Sequence, residues 1–557
     1  MPRALITTPS ISSPLAAGKE ETMRLLSLAT LLVLLLIIPA VGQQPEKLGT
    51  VNFPTSCNAT AQAEFTRAVA LLHSFWFQHA IKGFEAAVKA DPTCGIAAWG
   101  AAVAWLGNPL AGPPPAKNVE LGAATVARAR SMGAKTQREL DYIAAIEAFY
   151  KDHDKVDHRT RALAYEKAME ALAAKYPQDR EAAIFYALAL NITLNPNDKT
   201  YANQLKAAAI LEPVFKAQPD HPGVAHYLIH SYDFPPIADK GVDAARRYAA
   251  IAPSAPHAQH MPSHIFTRLG YWQESIETNR ASVVAAKDEL RQARLEAGSY
   301  NALHAMDYIV YAALQLAKDR EAKAVYDELK TIDKLDTEHF AAAFAFAAIP
   351  ARYTLERREW SAASELTLHP QSLSWPKFPQ AESILVFARG LGAARGGNVA
   401  GAKTELARIE ALRDRMTAAK NTYWAEQSEI QRLAVAGWIA RAEKRNDEAV
   451  KLMRASADLE AKTEKHPVTP GAIQPAREML GELLLELGQN AQALAEFEMA
   501  MRTDPNRLHG LAGAALAAKQ AGNADKARRH YQQLLVLTKD ADTERPELKQ
   551  ARAYLGK

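Results

Sequence analysis

Cysteine is scarce in this chain: 557 residues contain two, Cys57 and Cys94. Neither follows directly on the apolar amino-terminal stretch, so a lipoprotein-type attachment is not indicated. Charge of one sign is scarce too. The formal net charge is +4 over the whole chain, and no long basic run occurs. That is too little to argue for nucleic acid as a partner. Gly and Pro are spaced as punctuation and form no long linkers. No nucleophile elbow, Gly-rich phosphate loop or zincin motif is present, which removes the commonest sequence signatures of hydrolases and nucleotide enzymes.

One long apolar run exists, Leu25–Val41, interrupted by Ser27 and Pro39. It is short for a membrane span. Arg24 precedes it and Ala40-Val41-Gly42 offers a small-x-small cleavage site. Residues 1–42 therefore read as an export signal, with Met23 the start of a signal of normal proportions; an uncleaved anchor is the alternative. The expected location is periplasmic or secreted, with membrane contact only through this segment. Cleavage removes Arg3, Lys19 and Arg24 against Glu20 and Glu21, leaving +3. Export permits a disulfide. Cys57 and Cys94 lie about one repeat apart, at equivalent places in neighbouring helices, which suits such a bond; two small buried thiols are the alternative.

The remainder is rich in Ala, Leu, Glu, Lys and Arg, and charged residues are 23%, as in ordered soluble chains. A period of 34 dominates. Gln474–Arg507 carries Leu480, Gly481, Leu484, Gly488, Ala493, Phe497, Ala500 and Pro505. Small residues fall where two helices would cross, large ones fill the gaps, and Pro505 stops the second helix. Leu508–Ala541 repeats the pattern with Ala515, Gly522, Ala527, Tyr531 and Leu534, and Ala61–Cys94 with Ala68, Leu71, Ala80, Phe84, Ala87 and Pro92. These units resemble the tetratricopeptide repeat, with weaker copies over most of residues 60–541. The resemblance implies an all-α, right-handed superhelical solenoid of helix pairs, whose first helices line a concave surface that holds a peptide or protein partner. The expected organisation is a lead-in at 43–59, a repeat array at 60–370, a Pro-rich loop at 371–382 and a second array at 383–557. Asn108–Lys117 is a further Pro-rich loop, and either loop is a candidate lid. Glu544–Lys557 is a candidate cap.

One feature exceeds what such an array requires. Of 16 His, six lie within residues 221–264: His221, His226, His230, His257, His260 and His264. An even spread would put about one there. His226, His230 and Asp233 share one helical face, as do His257, His260 and His264, and then His304 and Asp307. Counting from the helix-crossing residues directs these groups from three consecutive first helices to one concave patch. His and carboxylate together ligate Zn, Cu or Fe. The set exceeds one tetrahedral ion, so it implies two metals or an outer ring of orienting groups. Pro262 cannot sit inside a helix that already holds His257. A helix starting near Gln259 accommodates it, with His257 in the lead-in. The sequence thus supports two functions: a non-enzymatic, exported peptide-binding or scaffolding module, and a metalloprotein, hydrolase or oxidoreductase, with its site at His226, His230, Asp233, His257, His260, His264, His304 and Asp307. Three further readings concern packing. His73, Phe75, Trp76, Phe77 and His79 read as an aromatic turn in the core. Tyr300, Tyr308 and Tyr311, around His304 and Asp307, read as amphipathic packing, with hydrogen bonding to the site as the alternative. Glu478, Glu482 and Glu486 read as a solvated stripe, with a basic partner as the alternative, His466 and Arg507 being nearby in sequence.

Overall fold

The computed structural model describes residues 46–195 and 198–556, with Thr7 and Ser10. The export signal and its cleavage site lie outside those residues. Lys47–Lys557 forms one compact unit, without a division at the Pro-rich loop 371–382.

The unit is all-α. Helices follow one another from Ala59–His73 to Pro546–Leu555, each packed on its neighbour in sequence and joined to it by a short connection. Apart from one bridge between Gly298 and Leu335, no β-pairing occurs among the described residues. None of their helices is long and apolar enough to cross a membrane. Local chemistry sets the starts: the side chains of Asn58, Asp157 and Asn523 accept the backbone N–H groups of Ala61, Thr160 and Lys526. The crossing logic of the repeat is visible at Phe497. Its ring lies so close to Gly481 and Gly513 that a Cβ at either would meet it at 2.9 or 2.3 Å.

The lead-in is pinned along the array. Phe53 is buried edge-on to Phe65, the Thr50 N–H donates to Asp220 O, and the Ser56 N–H donates to Glu139. Cys57 and Cys94 are joined by a disulfide.

Two further features depart from an open spiral. The carboxy-terminal helices return to the middle of the chain: Trp272 Nε1 donates to Asn506 O, and Arg545 pairs with Asp319. The segment Lys462–Pro475, between the helices Asn446–Glu460 and Ala476–Glu486, runs as a strap across the amino-terminal helices. Lys199 and Tyr201 donate to Glu464, Lys465 to Asp233, and Tyr308 to Thr469 O. Arg352 donates to Thr469 Oγ1, Gly471 O and Ala472 O. The groove expected to be open is therefore occupied around these residues. The strap's own carbonyls are what the buried Arg352 and Tyr308 need as acceptors.

The carboxylate stripe is solvated only at one end: Glu478 is buried, Glu482 half-buried and Glu486 exposed. Arg507 donates to Glu478 and Glu356, Arg358 and Arg395 pair with Glu482, and Arg395 and Arg441 pair with Glu486. Arg507 was in view from the sequence as a nearby base, whereas spacing within one helix gave no sign of Arg358, Arg395 and Arg441.

The apolar interior comes in two principal bodies. One runs from Leu48 to Phe266 and the other starts at Trp272. The histidine-rich helices lie at that seam.

Candidate metal centre

Prolines set the ends of the helices that carry the histidines. Pro222, Pro256 and Pro262 each stand at a helix start, where a missing N–H costs nothing. Pro256–His260 and Pro262–Leu269 are separate helices, with Met261 in right-handed helical geometry between them. His257 is thus helical rather than in a lead-in, because the first helix begins at Pro256 and Pro262 opens the second. Gly270, at φ +68°, ends the second helix. His304 lies on Tyr300–Gln315.

These elements bring six imidazoles into two groups of three. In the first, His226 Nε2 lies 3.1 Å from His230 Nε2 and 3.2 Å from His257 Nε2. In the second, His260 Nε2 lies 3.1 Å from His264 Nε2, and the His304 ring is 4.3 Å from that of His260. Within each group the ligand atoms all fall within 4.8 Å of one another. The groups adjoin: ring centroids are 5.8 Å apart for His230 and His264, and 6.0 Å for His257 and His260. His226, His230, His260 and His264 are buried, whereas His257 and His304 are partly exposed. Burial holds His226, His230, His257 and His304 well below the usual imidazole range and pushes His260 down to about 3.

Three of the rings have their other nitrogen committed. His226 Nδ1 donates to His73 O at 2.6 Å, and His264 Nδ1 to Asp233 Oδ2 at 2.8 Å. His260 Nδ1 lies 2.7 Å from Asn279 Oδ1, and Asn279 Nδ2 donates to Ser275 O. That second bond fixes the amide orientation, so Oδ1 is the acceptor and His260 Nδ1 carries the proton. With Nδ1 protonated on both rings, His260 and His264 present bare Nε2 lone pairs to each other.

The two carboxylates of the sequence-derived set lie outside both triads. Asp233 orients His264, receives Arg268 Nε at 2.9 Å and Lys465 Nζ at 2.8 Å, and is held well below the usual range because those cations outweigh its burial. Asp307 pairs with Arg352 at 2.8 Å, away from His304. Its helical spacing from His304 is as expected, but Arg352, from Phe340–Glu356, captures it.

Phe75 carried no sequence signal for a place at the site, whereas Tyr308 was among the phenols that surround His304 in the sequence. Phe75 covers the first triad, its ring centroid 4.4 Å from His226 and 5.4 Å from His257. It holds φ +53°, a strained setting for a bulky residue. The Tyr308 ring lies 4.6 Å from His260 and 5.3 Å from His304, with its hydroxyl 3.5 Å from His264 Nε2. The aromatic turn is thus a wall of the site, and Tyr308 is its counterpart on the second triad.

A third cluster, His73, Glu181 and His221, also gathers ligand-type atoms. Its hydrogen bonds close without an ion. His221 Nδ1 accepts the Val224 N–H, so its Nε2 donates to Glu181 Oε1 at 2.9 Å. His73 lies 3.0 Å from both Glu181 Oε2 and the Tyr227 hydroxyl. Burial pushes Glu181 up, but the two imidazoles outweigh it and hold the carboxylate at about 2. This cluster supports His73, whose carbonyl holds His226.

Beyond the strap lies a cavity of about 580 Å³. Arg268 and Lys465, the partners of Asp233, form part of its wall with Phe344, Trp424 and Glu460.

No family model and no curated protein matches the chain. Solved structures similar to it include a Naa15/Naa10 complex bound to HypK-THB, at 13% identity and TM-score 0.22, covering 89% of this chain and 74% of that one. Another is a human IFIT1 dimer with PPP-AAAA, at 11% and 0.37, covering 84% and 89%. A third is the APC/C hetero-tetramer Cut9-Hcn1, at 10% and 0.27, covering 89% and 97%. At these values the likenesses carry nothing about the site.

Proposed function

We propose that the protein is a metalloprotein with a dinuclear transition-metal centre, one ion in His226/His230/His257 and one in His260/His264/His304. The observation that carries this reading is the meeting of His260 and His264. Two bare nitrogen lone pairs at 3.1 Å repel unless a cation lies between them. A proton bridges only two nitrogens, whereas each triad converges three. Metal–nitrogen bonds of about 2.0–2.1 Å at near-tetrahedral angles separate ligand nitrogens by about 3.3 Å, close to the spacings found. The anchored Nδ1–H groups are the outer ring that such ligands require.

Export to the periplasm or beyond accompanies this reading, supported by the apolar run at 25–41 and the Cys57–Cys94 disulfide. The repeat array serves as a helical scaffold for the centre. A protein partner, where the array also acts as a binding module, meets faces other than the stretch occupied by the strap.

Elemental analysis of protein prepared without a His tag tests the proposal. Two transition-metal ions per chain are expected, with one lost in His226→Ala and the other in His264→Ala. Protein that stays metal-free after exposure to zinc, copper and iron salts, while fully helical, overturns it.

A further inference from the structure

We infer that the two sites are built for a pair of copper ions that bind dioxygen between them; this rests on the dinuclear reading above. The donor set decides the metal. Both spheres consist of neutral imidazole nitrogens, without a carboxylate or thiolate. Imidazole suits copper, which also lies at the top of the divalent affinity order. Zinc also takes three imidazoles with an open fourth position, but only as the divalent ion, which the charge of this site disfavours. The oxygen-activating iron triad takes two His and one carboxylate. The nearby carboxylates are already engaged: Asp233 with Arg268 and Lys465, Asp307 with Arg352, Glu181 with His73 and His221. None of the three belongs to either triad, so no carboxylate stands in place as the third ligand that iron takes.

Charge decides the oxidation state and the ligand. Two divalent ions would put four uncompensated positive charges beside Arg268 and Lys465 in a largely buried space, which is strongly unfavourable. Two cuprous ions bring half that charge, and three-coordinate nitrogen sites suit them. Dioxygen then enters without changing the total. Each Cu(I) gives one electron to O₂. The products are two Cu(II) and one peroxide dianion bridging them, so the charge of the cluster is the same before and after. No proton is taken up or released in that step.

Shape agrees with a ligand of that size. The triads adjoin through the His230–His264 and His257–His260 contacts, while Phe75 and Tyr308 cover their flanks. A small molecule bridging the two groups would reach them past the partly exposed His257 and His304.

The test is anaerobic loading of the full chain with Cu(I), followed by mixing with oxygenated buffer. The expected result is two copper ions per chain, one O₂ consumed per pair, a new intense near-ultraviolet absorption band, and no paramagnetic signal from isolated Cu(II). His304→Ala, at a partly exposed ligand and with helicity as in the parent, halves the copper and abolishes the uptake. Two bound coppers that take up no O₂, or that oxidise to magnetically isolated Cu(II), overturn the dioxygen inference and leave the dinuclear site standing. Copper binding that is weak and indifferent to His226→Ala and His264→Ala overturns the dinuclear reading itself.

Discussion

Lys465 Nζ lies 2.8 Å from Asp233 Oδ2, across 232 residues of chain, and that same oxygen accepts the Nδ1 proton of His264 at 2.8 Å. One carboxylate oxygen thus fastens the strap and orients a ligand. Asp233→Asn weakens both bonds. Metal affinity is expected to fall about 10–100-fold at the second triad and to hold at the first. Competitive metal titration, read as two separate affinities, checks this; an equal fall at both sites counts against a local role.

Gly223 tests the first triad without touching a ligand. A Cβ there would lie 2.4 Å from His73 Nδ1, so Gly223→Ala must displace that ring. His73 also supplies the carbonyl that holds His226. Loss of one metal per chain is expected, with the second triad retained. Metal stoichiometry together with circular dichroism reads it, and full occupancy would show that the His73 backbone is not what positions His226.

Arg507 is wholly buried between Glu356 and Glu478 and also donates to the Tyr311 hydroxyl at 2.8 Å. Burial pushes Glu478 up to about 7, whereas the surrounding cations overcome burial and hold Glu356 at about 2. Arg507→Met strands the Glu356 charge. A loss of about 3–5 kcal/mol in stability is expected, measured as a lowered midpoint in urea. The double variant with Glu356→Gln should recover most of it.

Glu460 gives the array a pH dependence away from the metal ligands. Its Oε2 accepts the Ala476 N–H, Arg477 is the cation acting on it, and Asp504 and Glu478 add negative charge; burial pushes it up to about 8. The folded state therefore holds a proton that the unfolded chain releases near pH 4.5. Stability from this residue is fully present below about pH 4.5 and is lost as pH rises through 8. Glu460→Gln should leave Tm near the parent value at pH 5 and raise it above the parent at pH 8.5.

The histidines were legible because helical spacing and the repeat register are both local counts. His226 and His230 at i, i+4, and His260 and His264 likewise, needed no tertiary information. Asp307 was misplaced because Arg352 arrives from another repeat. Glu482 was misplaced for the same reason, since Arg358 and Arg395 come from distant segments, whereas Arg507, the partner of Glu478, was near enough in sequence to be weighed as a base for the stripe. Tyr308 was in view through its place beside His304, but nothing in the spacing of Phe75 and Asn279 separates a group of the site from filler. The strap was illegible altogether, since its side-chain anchors at Glu464 and Lys465 pair with residues more than 200 positions away and its other anchors are backbone carbonyls, which every residue possesses.

The ligands are complete in the chain by His304, while the covering arrives only at Lys462–Pro475. Synthesis therefore delivers a roofless nest long before its roof. On the proposed metal reading, an ion that enters early meets an uncovered site, and one that arrives after the strap is in place enters beside Lys465 and Thr469 or at the partly exposed His257 and His304. When the metal is offered thus governs occupancy alongside how tightly it is held.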